Sequence, residues 1–206
     1  MTRKIAIIDY KAGNAPSVLH AVQRLGKQAQ LVTAPHELQG AACIILPGVG
    51  SAGATMESLR ESGMALALNE YVTIKKTPFL GVCVGHQILF EHSEEDDAAC
   101  FGWLKGQVKK FDSGMVRVPQ MGWNRVRFAN ETPNGYFYFV NSYYAQPENP
   151  DDIWGIAHYG EDFTAAVRRE NIFGVQFHIE KSGETGLALL HEFVSLAGQR
   201  EACAIC

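Results

Sequence analysis

The chain has 206 residues, of which 47% are hydrophobic, 10% aromatic and 19% charged, with a formal net charge of −4. That length suits one domain, spanning 1–206, with a core large enough to hold without disulfides or metal; the composition excludes a disordered or low-complexity chain. The mild acidity argues against nucleic acid or an anionic membrane surface as a partner. No apolar run approaches the ~18 residues of a membrane-spanning helix.

After the basic start Met1-Thr-Arg-Lys4, the apolar stretch from Ile5 to Ile8 stops at Asp9. It is too short for a signal-peptide core and reads as a first strand. Five cysteines, an odd number without framework spacing, favour a reducing compartment, the cytoplasm. A helix is expected from Ala15 to Leu25, where Val18, Ala21, Val22 and Leu25 share one stripe and Gly26 closes it. Ala29 to Thr33 and Ala42 to Leu46 read as two further strands, the second ended by Pro47-Gly48. A helical region from Ala52 to Lys75, broken near Gly63, precedes a fourth strand from Pro78 to Val82 that runs into Cys83. Apolar strands each followed by a helical stretch predict a parallel sheet covered on both faces.

From Gly106 onward the pattern changes to short alternating runs at 107–111, 124–128, 136–140, 153–158, 164–167 and 172–177. Turn residues at Pro133-Asn-Gly135 and from Pro147 to Asp151 separate them, as in antiparallel hairpins. An amphipathic helix from Gly183 to Leu196 follows. The expected fold is α/β, with a mostly parallel central sheet and an antiparallel extension in the second half.

Chemistry concentrates at Gly81-Val-Cys-Val-Gly85, where a strand meets a helix predicted over His86 to Phe90. This is the cysteine form of a nucleophile elbow, in which the glycines allow a sharp turn and the nucleophile between them is exposed. The helix start offers free N–H groups and a positive dipole end, favouring a thiolate and a developing oxyanion. A cysteine nucleophile needs a base, and the base an orienting group. His178 and Glu180 supply them if the chain is extended there, since positions i and i+2 then share a face.

The other histidines make weaker candidates. His20, His36, His92 and His191 fall in helices or polar connections, and His158 has no acidic neighbour at that spacing. His86 is expected to point away from Cys83 into core or pocket packing. Gly48-Val-Gly50-Ser-Ala-Gly53 matches the dinucleotide pattern, but it does not follow the first strand and lacks the acidic residue at the usual offset. It reads better as a loop whose N–H groups face the nucleophile. Cys203-Ala-Ile-Cys206 lacks the second pair of a zinc site, and Glu94-Glu-Asp-Asp97 reads as a solvated loop. No cofactor or metal is expected.

These residues together resemble the class I (triad) glutamine amidotransferases. Within them they are similar to the glutaminase subunits of imidazole glycerol phosphate synthases, which serve histidine biosynthesis. The resemblance covers nearly the whole chain. It rests on Ile8-Asp-Tyr10 with Gly13-Asn14, Pro47-Gly-Val-Gly50, the elbow with Gln87, Pro119-Gln-Met-Gly-Trp-Asn124, Phe139-Val-Asn-Ser-Tyr143, and Gly174-Val-Gln-Phe-His-Ile-Glu-Lys-Ser182.

The resemblance implies a flavodoxin-like three-layer sandwich and a Cys83–His178–Glu180 triad that hydrolyses glutamine through a thioester. It further implies an oxyanion hole from Val84 with Val49 and Gly50, and glutamine held by Gly50, Gln87, Ser142 and Tyr143. Tyr138, Lys181 and Trp123 fall where the family meets its partner, a separate (β/α)8-barrel cyclase subunit, and where ammonia leaves. Four positions depart from the family: His86 for its usual methionine, Gln120 and Asn141 for its usual histidines, and Ile179 for the proline of H-P-E. An isoleucine also favours an extended backbone, so the triad is expected to survive. The substitutions at positions 120, 141 and 179 motivate a second reading, a scaffold or regulatory subunit without glutaminase activity, and a paralogue serving another pathway is a further alternative.

Overall fold

The computed structural model describes residues 4–11, 14–129 and 132–203. Gly13 of the opening motif and Cys206 of the tail pair lie outside the described residues. The strands, all in one branched sheet, are β1 (Lys4–Ile8), β2 (Ala29–Val32), β3 (Ala41–Gly48), β4 (Phe79–Cys83), β5 (His92–Ser93), β6 (Ala98–Ala99), β7 (Gly106–Lys110), β8 (Gln120–Phe128), β9 (Gly135–Asn141), β10 (Tyr143–Pro147), β11 (Ile153–Tyr159), β12 (Glu161–Arg169) and β13 (Ile172–Val175). The helices are α1 (Ala15–Arg24), α2 (Ala52–Glu61), α3 (Met64–Asn69), α4 (Val84–Gln87) and α5 (Gly183–Cys203).

Five strands in the order β2-β1-β3-β4-β13 pair in parallel throughout. Ile5–Ile8, Ile44–Leu46 and Phe79–Val82 are buried along their whole length. Strands apolar on both faces require helices on both sides. The step from β1 to β2 and the step from β3 to β4 run in opposite directions across the sheet, so right-handed crossovers put α1 on one face and α2 with α3 on the other. α5 packs beside α1.

β13 is the hinge between the two halves: it is parallel to β4 on one side and antiparallel to β12 on the other. From β12 the sheet continues antiparallel through β10 and β7, while β11, β8 and β9 branch off as a second arm. A buried aromatic cluster ties that arm to the segment following β13. Phe177 lies 4.1 Å from Phe137 and 5.6 Å from Phe139, ring centre to ring centre. Burying each such ring contributes about 1.5–3 kcal/mol, so the segment beside Phe177 is firmly anchored.

The structure corrects several expectations. β3 continues through Pro47 and Gly48, which pair with Val82 and Cys83. β1 pairs with β3 only as far as Ile45, so past that point β3 has β4 alone beside it and a residue without an N–H is accommodated. The helix expected over His86 to Phe90 is instead the single turn α4, beginning at Val84. The carbonyls of Ile88, Leu89 and Phe90 accept from Phe101, Leu104 and Gly102, which halts the helix. The helical region after Ala52 breaks at Gly63 (φ 72°) as expected, but ends in a π turn over Glu70–Ile74. α5 runs on to Cys203 through the helix formers Ala, Gln, Arg and Glu. β10 was not anticipated.

Candidate active site

β3, β4 and β13 end at one level. Gly48 is paired with Cys83, and Val82 with both Pro47 and Val175. Cys83 therefore stands at the carboxyl edge of the parallel strands, where open α/β sheets bind ligands. Its backbone has φ 56° and ψ −110°. A non-glycine residue held in so sparsely populated a region costs of order 1–3 kcal/mol, which the surroundings must sustain.

The glycines around it explain how. A Cβ on Gly85 would fall 2.0 Å from the Leu46 carbonyl oxygen, one on Gly81 2.2 Å from that of Gly85, and one on Gly48 2.7 Å from the Gly85 nitrogen. The elbow thus needs these glycines for close backbone approach between β3, β4 and α4. The positive end of α4 is one turn deep, so its dipole acts only on groups at its first residues.

His178 Nδ1 lies 2.9 Å from Glu180 Oε1, with both side chains buried. Asn14, from the start of α1, donates to the same carboxylate oxygen at 2.6 Å. The pair meets, but the expected extended chain is not what brings it together. Ile179–Lys181 form a 3-10 turn, closed by Lys181 N–H on the His178 carbonyl at 3.0 Å and by the Ser182 hydroxyl on that same oxygen at 2.7 Å. Ile179 fills the core where the family carries proline, and the acid–imidazole contact survives. On the other side, His178 N–H donates to the Tyr138 carbonyl of β9 at 2.9 Å.

Burial opposes a charged imidazole, yet hydrogen bonds to Cys83 and Glu180 outweigh it and hold His178 up at about 10. Glu180 sits below its ordinary value: burial works against its ionisation, and the hydrogen bond and charge of His178, aided by Asn14, overcome that. The arrangement favours an imidazolium beside a cysteine sulfur, the condition for a nucleophilic thiolate.

Cys83 and His178 open on a cleft of about 270 Å³. That is below the roughly 300–1,000 Å³ of drug-sized sites, and suits a small amino acid. Its walls include Val49, Gly50, Val84, Gln87, Ser142 and Tyr143, each singled out from the sequence. They also include Pro119, Val140 and Asn141, which stood in the resemblance motifs without an assigned role, and Glu95, which had none. Glu95 belongs to the acidic run expected to be solvated. Instead its Oε2 accepts from the Ala52 N–H at the start of α2 at 3.0 Å, and burial pushes its carboxyl above the ordinary value. Its neighbours Glu94, Asp96 and Asp97 are exposed as expected, with Glu94 accepting from Lys110 N–H and Asp97 pairing with His92. No sequence signal marks Glu95, because its place is set by a contact 43 residues away.

The glycine-rich loop leads into α2, whose first N–H groups are capped from within the chain by Glu95 and by Ser51 Oγ, which accepts from Ala54 N–H. Such an end does not present the free donors a dinucleotide pyrophosphate needs. Among the described residues no group of three or more His, Cys, Asp or Glu side chains is placed to hold a metal ion. His86 is wholly buried, edge-on to Phe90, and burial pushes it down to about 3. His158 does have an acidic partner: Asp162, across the β11–β12 hairpin, lies 2.9 Å from its Nδ1. Both are exposed and away from the cleft, and sequence spacing missed the pair because strand pairing creates it.

Trp123, Tyr138 and Lys181 do not line the cleft. Trp123 and Tyr138 are cross-strand partners on β8 and β9 with ring centres 6.0 Å apart. With Met121 (67% exposed), Trp123 (56%) and Tyr136 (60%), they form an apolar surface beside the exposed Lys181. On a monomer's surface a contiguous patch of this kind marks an interaction site.

The fold is that of a class I glutamine amidotransferase, and the family model "Glutamine amidotransferase class-I" matches residues 6–196. The chain is 44% identical to "Imidazole glycerol phosphate synthase subunit HisH" of Leptospira borgpetersenii, over 93% of this chain and 100% of that one. It is equally close to the HisH subunit of Herpetosiphon aurantiacus, 44% identical over 95% of this chain and 96% of that one. Among solved structures, "Crystal structure of glutamine amidotransferase" superposes with a TM-score of 0.78 at 19% identity, covering 94% of this chain and 98% of that one. "Structure of PurLQS from Thermotoga maritima" superposes at 0.74 and 19% identity, covering 95% and 99%. The chain belongs to the HisH family of class I glutamine amidotransferases.

Proposed function

We propose that this chain is the glutaminase subunit of an imidazole glycerol phosphate synthase, with Cys83, His178 and Glu180 as its triad. The observation that carries the reading is the strained Cys83, which shares a cleft sized for an amino acid with His178, itself buried and paired with Glu180. The Cys83 thiolate attacks the side-chain amide carbon of L-glutamine. The N–H groups of Val84 and of the Val49–Gly50 loop take the resulting oxyanion. His178 gives its proton to the departing nitrogen, ammonia leaves, and a glutamyl thioester remains. The imidazole then takes a proton from water as that water attacks the thioester, and glutamate departs with the thiol restored. Glu180 holds the imidazole's orientation throughout. The carboxylate of Glu95 fits the α-ammonium group of glutamine, and Gly50, Gln87, Ser142 and Tyr143 enclose the rest.

Ammonia released into neutral water is protonated and loses its nucleophilicity, so it must pass straight to an acceptor. The proposed acceptor site lies in a separate (β/α)8-barrel cyclase subunit, which joins the nitrogen to a ribonucleotide to give imidazole glycerol phosphate and AICAR. The apolar face of Met121, Trp123, Tyr136 and Tyr138, with Lys181 at its edge, is the docking surface and the side on which ammonia leaves. Among the described residues no helix is long and apolar enough to cross a membrane, and Cys43, Cys83 and Cys100 are free thiols, which fits a cytoplasmic heterodimer folded as one domain over 1–206. The test is to combine the chain with its candidate cyclase, glutamine and the ribonucleotide substrate. Product that depends on glutamine and on Cys83 supports the assignment; a cyclase that makes product from glutamine equally well with Cys83→Ala overturns it.

A further inference from the structure

Gln176 has no part in the triad, but register brings it to the nucleophile. Val175 is paired with Val82, so the next residue of each strand, Gln176 and Cys83, stand side by side at the sheet's edge. Gln176 is wholly buried, and its amide nitrogen lies 3.8 Å from Cys83 Sγ. Which end of the amide faces the sulfur follows from its neighbours. The Tyr143 carbonyl can only accept, so Gln87 must present its NH2 group there, at 3.2 Å. The second N–H of that group reaches Gln176 at 3.0 Å. Gln176 must therefore answer with its carbonyl oxygen and turn its own NH2 to the sulfur. Reversing Gln176 would set donor against donor, and reversing Gln87 acceptor against acceptor.

We propose that Gln176 is a catalytic residue of this site, donating an N–H hydrogen bond that stabilises the Cys83 thiolate, with Gln87 fixing its orientation. The neutral thiol can donate to the Val140 carbonyl, 4.0 Å away, a long contact. An N–H bond to an anion is roughly twice as strong as one to a neutral acceptor. The Gln176 amide thus favours the ionised sulfur, and it does so from behind the cleft, where substrate does not displace it. The inference rests on Cys83 being the nucleophile. The titratable groups around the sulfur are His178 with Glu180 behind it, Tyr10 just after β1, and Glu95 and Tyr143 in the cleft wall.

The test uses Gln176→Met, which removes the donor, and Gln176→Glu, which keeps an oxygen for Gln87 but offers the sulfur no N–H. Gln176→Met adds no charge and isolates the lost N–H, whereas the carboxylate of Gln176→Glu also repels the thiolate and should lower alkylation at low pH at least as much. The readouts are the rate of Cys83 alkylation by iodoacetamide from pH 6 to 9, located by mass spectrometry, and the kcat and KM of glutamine turnover. Relative to its value at pH 9, alkylation at pH 6.5 should fall about tenfold in both variants, the size of a hydrogen bond to a charged group. kcat should fall with KM unchanged, and Gln87→Met should lower alkylation in the same direction by less. Variants that are less heat-stable but keep the wild-type pH dependence of alkylation would reduce Gln176 to packing and overturn the proposal. Should both Gln176 variants fail to fold, a Gln87→Met protein with wild-type alkylation overturns it equally. Alkylation needs no glutamine, so a wild-type protein that fails to turn over glutamine counts against the glutaminase reading alone.

Discussion

Burial drives the two histidines nearest the elbow in the same direction, and their partners separate them. His86 has none at either ring nitrogen and is pushed down to about 3; His178, bonded to Cys83 and Glu180, is held up at about 10. The consequences for stability have opposite signs. His86 is lowered from 6.5, so the unfolded chain binds the extra proton first, and stability is lost as pH falls from 6.5 towards 3. His178 is raised from 6.5, so its contribution is complete below 6.5 and disappears as pH rises through about 10. His86→Met should therefore flatten the acid limb of the stability curve, a gain of about 2 kcal/mol at pH 5 that chemical denaturation at pH 5 and pH 8 would reveal. Glu180→Gln should leave the chain folded but lower kcat by roughly 10²–10⁴, with the larger loss if the imidazole tautomer is reversed. Turnover within a few fold of wild type would remove Glu180 from the triad.

At the scale of elements, the parallel half was legible because its physics is one-sided. Strands buried on both faces are continuously apolar, and a strand leading into G-x-C-x-G has few other uses. What the sequence concealed were features set by neighbours. α4 ends after one turn because residues 101–104 take its next carbonyls, and β10 is a strand because β7 lies beside it. The elbow itself makes a sharp prediction. Gly85→Ala would force its Cβ into the Leu46 carbonyl and should abolish glutamine turnover with a large drop in Tm. Gly26→Ala meets open space and bears only the φ of +70°, a cost of about 1–2 kcal/mol with turnover retained. On the β8–β9 ribbon, Trp123→Ala should weaken cyclase binding by about 2 kcal/mol or more, as loss of a central aromatic anchor does, measured by titration calorimetry. Unchanged affinity would move the docking surface elsewhere.

For the molecule as a whole, Cys83, His178 and Glu180 stood out in two short motifs, whereas the groups that contact them did not. Asn14 reaches Glu180 across 166 residues, Gln176 reaches Cys83 across 93, and Glu95 enters the cleft only because α2 caps itself on it. Each of these contacts exists because β1, β3, β4 and β13 end together at one edge of the sheet. The departures at 120, 141 and 179 leave that convergence intact. Gln120 and Asn141 remain register partners beside the cleft, and Ile179 packs inside the turn that delivers Glu180. The proposed chemistry requires Cys83 to be the group that attacks a glutamine side chain. The most direct measurement is mass mapping of the chain after reaction with an electrophilic glutamine analogue. We expect one adduct, on Cys83, suppressed by added glutamine and absent from Cys83→Ser; no adduct, or labelling of the other cysteines in its place, would contradict the account.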